Sequence, residues 1–356
     1  MKGSDPAGQS WLWGHIRPLL MWSDKKRSWG FLAAAALSAG LPVFVGAWFG
    51  RFPSAIIASV GGLVILYMQD TDVSRRMMIL AVCSFGFAVS FSLGTLTSFN
   101  PWLSAGTLAL TVFLVTATCR FHSMPPPGSF FFILVACMSR TLPFDLTLAA
   151  QRTGILLFGC MGACLIALVY SLAQILMKDN KPRQPAPAGD QRVAAIILES
   201  AVIAIFVGGG YLGALMLQLD NPYWVPISTA AIMQGATFRA IWHRNVHRVF
   251  GTVIGMGLAW LIFSLSPNVW VLAGLIVVLS FVIEALVTRN YGLAVIFITP
   301  LTVIFADSAI ASIDTERLIF ARLIDIMLGS AIGYLGGWVI HHPKIFHHLE
   351  RLMVNR

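Results

Sequence analysis

Charge is scarce in this 356-residue chain. Asp, Glu, Lys and Arg together make up 11% of it, and hydrophobic residues 57%. An ordinary soluble domain is about 25% charged and 45–50% apolar. The shortfall excludes a soluble globular enzyme, a disordered protein and a fibrous one. Lysine is rarest, with 6 residues against 18 arginines. No GxxxxGK[ST] loop occurs, so nothing in the sequence cradles ATP phosphates. The five cysteines (Cys83, Cys119, Cys137, Cys160 and Cys164) lie in or at the ends of apolar runs, with no CxxC pair. They read as small buried hydrophobes, not as a disulfide frame. No serine–histidine–acid or paired-carboxylate arrangement stands out. The chain therefore reads as a non-enzyme with no cofactor and no metal.

What is present is apolar sequence in long runs, with a mean hydropathy of +0.79. A spanning helix needs about 20 apolar residues, and the chain has room for ten to twelve. Twelve apolar segments are expected, at 29–50, 53–68, 77–98, 101–119, 128–140, 153–177, 193–218, 223–235, 249–266, 269–287, 291–306 and 318–340. The second, fifth, eighth and eleventh are short. The one stretch rich in Pro, Gly and charge, 178–192, reads as a linker between halves. The expected organisation is a cytoplasmic segment 1–27 without a signal-peptide core, a first half 28–177, that linker, a second half 193–340 and a tail 341–356.

The basic residues set the topology. With twelve spans and both termini cytoplasmic, 19 of the 24 Lys and Arg fall inside, as the positive-inside rule demands. Making the short segments re-entrant would move Arg75 and Arg76 outside. The halves also echo each other. Arg76 and Arg244, Trp102 and Trp270, and Gly106 and Gly274 are each 168 apart. Pro53 and Pro222 are 169 apart. Arg152 and Arg322, and Gly159 and Gly329, are 170 apart. Six helices per half is an even number, so the repeats would be parallel. The expected fold is an all-α polytopic membrane protein of about twelve helices in two parallel six-helix repeats.

Ionisable residues inside a bilayer are costly and usually face a bundle interior or an aqueous path. Glu199, Glu284, Arg322 and Asp325 stand out, with Arg152 as the repeat mate of Arg322. Glu284 is the best candidate for a protonatable coupling group; its alternative is a fixed pair with Arg289 or Arg120. Glu199, near a segment start, reads better as an interfacial residue. Arg322 and Asp325, at i and i+3, can satisfy each other. Arg152 has Ile155 in place of that acid, so two arginines near the outer face can attract a carboxylate bidentately. Tyr223 and Trp224 open the short, Pro-interrupted eighth segment, followed by Ser228 and Thr229. They fit a path lining or an aromatic belt. Thr299-Pro300 breaks the eleventh segment and fits either a path or a plain kink. His243 and His247 have metal-pair spacing but sit among Arg239, Arg244 and Arg248. They read as a solvated or phospholipid-facing loop, and His341, His342, His347 and His348 as a cytoplasmic helix end. For Gly159-x-x-x-Ala163 and Gly329-x-x-x-Gly333-x-x-x-Gly337, close helix packing is the favoured reading.

Together these features resemble the fusaric-acid-resistance and aromatic acid exporter family. The carriers are Tyr223-Trp224 through Met233-Gln234, the stretch Arg248 to Gly255 with its RxxGTxxG pattern, Tyr291 through Thr299-Pro300, and Arg322 to Gly329. The resemblance covers about 220–337, extends weakly to 28–177, and is shared distantly by the plant malate channels. It implies a bacterial inner-membrane exporter of small organic acids, driven by the proton gradient and working with a periplasmic adaptor and outer-membrane channel. Many members carry a large cytoplasmic domain between or after the helical halves; here 178–192 is short. Its partners would be a small organic anion, the lipid bilayer and a second copy in a homodimer, but not nucleic acid. The alternatives are a passive organic-anion channel and a structural membrane subunit.

Overall fold

Side-chain caps start many helices where the apolar runs begin. Ser28 Oγ accepts from the Phe31 amide, Asn100 from Leu103, Asp145 from Thr147 and Leu148, Thr237 from Ala240, and Asn268 from Trp270 and Val271. Each satisfies amides that the first helical turn leaves open. The computed structural model describes residues 22–177, 193–235, 237–307 and 315–342. Within them run twelve α-helices: α1 Trp29–Trp48, α2 Phe52–Gly62, α3 Val73–Thr97, α4 Pro101–Phe121, α5 Phe130–Ser139, α6 Leu146–Leu176, α7 Val193–Met216, α8 Trp224–Met233, α9 Phe238–Ser264, α10 Val269–Leu286, α11 Tyr291–Asp307 and α12 Thr315–His341. A 3-10 turn, Leu63–Tyr67, extends α2. The expected linker 178–192, most of segment 1–27 and the tail with His347 and His348 lie outside the described residues.

The twelve helices coincide with the twelve expected segments, and the largest differences are early starts at Val73, Leu146 and, by eleven residues, Phe238. Eight are long and apolar enough to cross a membrane. The four short ones are the four expected to be short. α5 and α8 have ten residues each, about 15 Å at 1.5 Å per residue. A bilayer core is about 30 Å thick. Burial explains how they persist. Every residue of α8 is buried, as are most of α5, so protein rather than lipid surrounds their ends.

The packing pairs recur. In the first half α1 lies on α2, α2 on α6, α3 on α5 and α6, and α1 on α6. In the second half α7 lies on α8, α8 on α12, α9 on α11 and α12, and α7 on α12. Between halves, α1 meets α10 and α4 meets α7. The glycines expected to pack do so at matching places. Gly159 on α6 backs onto the Ala58 carbonyl of α2, and Gly329 on α12 onto the Val225 carbonyl of α8. Each inter-half seam also carries one ion pair near its basic end. Arg27, just before α1, pairs with Glu284 on α10; Arg120 on α4 pairs with Glu199 on α7. In both seams the first half supplies the arginine and the second half the acid.

Candidate functional site

A cavity of about 440 Å³ lies between the halves, walled by parts of α1, α5, α8, α9, α10, α11 and α12. It runs from Arg27 and Tyr291 at the basic end to Trp224, Phe305 and Arg322 deeper in. Four arginines line it (Arg27, Arg244, Arg248 and Arg322) against one acid, Glu284; the rest is mostly aliphatic and aromatic. A second cavity of about 320 Å³ lies beyond, bounded by Pro53, Thr141, Arg152 and Tyr223. Met138 on α5 and Phe305 on α11 line both cavities and so form their common wall.

The cations are held by geometry the helices impose. On α9, Arg244, Arg248 and Thr252 form one i, i+4 row facing the cavity. Gly251 and Gly255 bring that helix hard against α11: a methyl on Gly255 would lie 2.7 Å from the Ile296 carbonyl oxygen, and one on Gly251 2.8 Å from that of Gly292. Pro300 lacks the amide that would bond the Ile296 carbonyl, so the close approach falls where α11 is interrupted. Arg248 is 8% exposed, and its Nη2 donates to Ser228 Oγ at 3.1 Å. Its Nε finds no acceptor among the described residues. The Arg244 guanidinium lies 5.0 Å over the Tyr291 ring. Arg322, 5% exposed, donates to Thr302 Oγ1 at 2.5 Å and lies 3.1 Å over the Trp224 ring. That cation–π contact ties α12 to α8 at the depth of the Met138–Phe305 wall.

Residues 203–336 match the fusaric acid resistance protein-like family. The resemblance drawn from the sequence therefore stands. The matched part holds Arg244, Arg248, Glu284 and Arg322, whereas Arg152, Glu199 and Met138 lie outside it. A relative over most of the chain is the uncharacterised membrane protein YvaC of Bacillus subtilis (strain 168), 23% identical over 86% of this chain and 72% of that protein. An uncharacterised protein of Haemophilus influenzae is 28% identical over 33% of this chain and 16% of its own length. No solved structure gives a significant match.

The fold places the expected site residues unevenly. Trp224, Glu284, Thr299 and Arg322 line the first cavity; Arg152 and Tyr223 line the second. The two arginines expected side by side thus face different cavities. Arg152 sits in the second turn of α6, which begins earlier than expected, and donates to the Pro143 carbonyl at 2.7 Å. Tyr223 and Trp224 are both buried rather than forming a belt. Ser228 meets the site through Arg248. Thr229 does not line it: its hydroxyl contacts the Val225 and Gly329 carbonyls at 2.9 and 3.1 Å and locks α8 to α12. Glu284 pairs with Arg27, not with Arg289 or Arg120; Arg289 lies over the Trp22 ring instead. Glu199, held by Arg120 in the seam, is outside both cavities. Asp325 is 1% exposed, and its Oδ2 accepts no hydrogen bond among the described residues.

Sequence reasoning missed Arg248, Arg244, Arg27 and Met138. The expected loop at 239–248 is instead the first three turns of α9. A signal existed: Thr237 has the identity of a helix cap, and Phe238, Ile241, Trp242, Val249 and Phe250 recur at helical spacing.

Proposed function

We propose that the chain is a membrane transporter that moves small organic anions along the axis between two parallel six-helix repeats. The observation that carries this reading is the pair of cavities in series, each with an arginine, divided by Met138 and Phe305. The four short helices each connect the basic end with the opposite one, two in each direction. α2 starts at the second cavity and ends at the first, α5 does the reverse, α8 starts at Tyr223 and ends at Gln234, and α11 runs from Tyr291 to Phe305. On this reading all twelve segments cross, and the basic end is cytoplasmic in a bacterial inner membrane.

An anion enters beside Arg27 and Arg244, reaches Arg248 and Arg322, and leaves past Arg152. Trp224, Ser228, Thr299 and Pro300 shape the inner part of the route, and Tyr223 the outer part. The Met138–Phe305 wall opens toward one side at a time. Glu284 is the coupling acid: its protonation frees Arg27 and loosens the α1–α10 seam at the mouth. Asp325 supports Arg322, and Glu199 holds the opposite seam. A periplasmic adaptor, an outer-membrane channel and a second copy of the chain complete the proposed assembly, which co-purification from native membranes tests.

The deciding experiment is uptake of a labelled aromatic acid into inverted vesicles with and without an imposed pH gradient. Accumulation above equilibrium that collapses with an uncoupler is expected. Equilibration that ignores the gradient would establish the passive channel instead, and no flux would refute transport of this class.

A further inference from the structure

Arg248 is a buried cation that the fold itself does not require. It is 8% exposed, within a membrane-spanning helix, where a charged guanidinium is expensive. One of its donors reaches Ser228, Nε reaches nothing among the described residues, and no carboxylate lies within ion-pair distance of it there. The acid in the same cavity, Glu284, is already taken by Arg27. The position 168 residues earlier shows what packing alone asks for. Arg76 precedes it by one turn just as Arg244 precedes Arg248, and at the place of Arg248 stands Leu80, fully buried. Arg76 is itself satisfied internally, by the Gln69 carbonyl, Ser171 and Gln174. The second repeat therefore places an undercompensated arginine where the first places a leucine.

We propose that Arg248, with Arg244 one turn away and the Ser228 and Thr252 hydroxyls beside it, is a carboxylate-binding site that loads the cavity from the basic end. This rests on the transport reading and assigns its first binding step. A guanidinium matches a carboxylate bidentately. The aliphatic walls suit a small apolar body attached to one charge, and they penalise a doubly charged phosphate, which would keep its hydration shell only in water. A lipid headgroup is the other source of an anion for these arginines. Arg248 faces the interior cavity rather than the outer surface of α9, which favours the free carboxylate.

The test is binding, measured apart from transport. Purified full-length protein in nanodiscs of zwitterionic lipid is titrated with benzoate, benzamide and inorganic phosphate by calorimetry. Benzoate is expected to bind, with benzamide and phosphate at least tenfold weaker. Arg248→Gln is expected to weaken benzoate at least tenfold, and Arg75→Gln, exposed and outside both cavities, less than twofold. A second variant guards against misfolding. Thr252→Asp places a carboxylate one turn from Arg248; it is expected to abolish benzoate binding while raising the unfolding temperature. Benzoate affinity unchanged in both Arg248→Gln and Thr252→Asp overturns the site. So does binding of benzamide equal to benzoate, or saturation of the site by phosphatidylglycerol with none by benzoate. Benzoate binding without flux would refute transport and leave the site standing. Flux unchanged in Arg248→Gln would refute the site and leave transport standing.

Discussion

The two seam ion pairs look alike by partner type, and burial makes them differ. Arg27 and Glu284 have side chains 26% and 9% exposed, while Arg120 and Glu199 are 38% and 24% exposed. Replacing Arg27 by Ala strands the Glu284 carboxylate in an apolar cavity wall. Removing one partner of a buried pair costs about 3–5 kcal/mol, because the remaining charge is uncompensated. Replacing Arg120 by Ala leaves Glu199 within reach of water, and exposed pairs are worth about 0–1 kcal/mol. The expected outcome is a cost for Arg27→Ala at least three times that for Arg120→Ala. The double variant Arg27→Ala with Glu284→Gln should recover most of the loss, since a neutral amide tolerates the site. The assay is reversible unfolding by SDS titration from mixed micelles, followed by tryptophan fluorescence, for both single variants and the double variant. Equal costs at the two seams would refute the burial argument. A double variant as unstable as Arg27→Ala alone would show that Arg27 acts through packing on Phe31, over whose ring it also lies at 4.8 Å.

Other outcomes follow from the same geometry. Gly329→Leu should abolish folded protein, read as loss of the monodisperse peak in size-exclusion chromatography, because even a methyl there would meet the Val225 carbonyl at 2.5 Å; Gly106→Leu, which faces open space, should leave the peak intact. Met138→Ala with Phe305→Ala should join the two cavities and raise downhill anion flux into vesicles at least tenfold while eliminating accumulation against a gradient. Glu284→Gln should leave downhill flux within a few-fold of the parent and stop uphill accumulation; uphill export that survives would remove Glu284 from the coupling step. The amide of Leu148, then that of Thr147, holds the exposed Asp145 carboxylate below its ordinary value of 3.8. Its stabilisation is thus complete above that value and fades as pH falls through the lowered one. Asp145→Asn should flatten that acid limb in pH-dependent unfolding.

The fold was legible because hydrophobic periodicity and length are local properties. Twelve runs, four of them short, became twelve helices, and the Gly159 and Gly329 positions became close crossings. The site was less legible because its logic is a matter of partners far apart in the chain. Glu284 and Arg27 are separated by 257 residues, and no window of sequence shows one choosing the other over nearby Arg289. Arg248 was hidden for a different reason. A cluster of arginines and histidines lowers hydropathy, and low hydropathy reads as loop. The helix continues through that cluster because Ile241 is fully buried and because the cations line a cavity instead of lipid.

Comparing the two halves separates the arginines that serve the fold from the rest. In the first half, Arg76 and Arg140 are both buried, yet each is surrounded by acceptors. Arg140 reaches Ser104, Thr107 and the Ala136 carbonyl, and Arg76 spans three residues around its helix end. These guanidinium groups are enclosed by protein acceptors, and the cavities do not reach them. In the second half, Arg244 and Arg248 are turned into the large cavity; among the described residues Arg244 lies over the Tyr291 ring and Arg248 reaches one hydroxyl, that of Ser228. One ring or one hydroxyl leaves guanidinium N–H groups uncommitted, and three acceptors around one guanidinium do not. The two halves thus differ: the first satisfies its buried Arg76 and Arg140 internally, and the second leaves N–H groups of Arg244 and Arg248 facing the large cavity. A mutational scan of flux should therefore separate by half. Arg76→Gln and Arg140→Gln should lose folded protein, while Arg244→Gln and Arg248→Gln should keep the fold and lose flux. Folded, fully active Arg244→Gln and Arg248→Gln variants would break this division and, with it, the assignment of the cavity as the route.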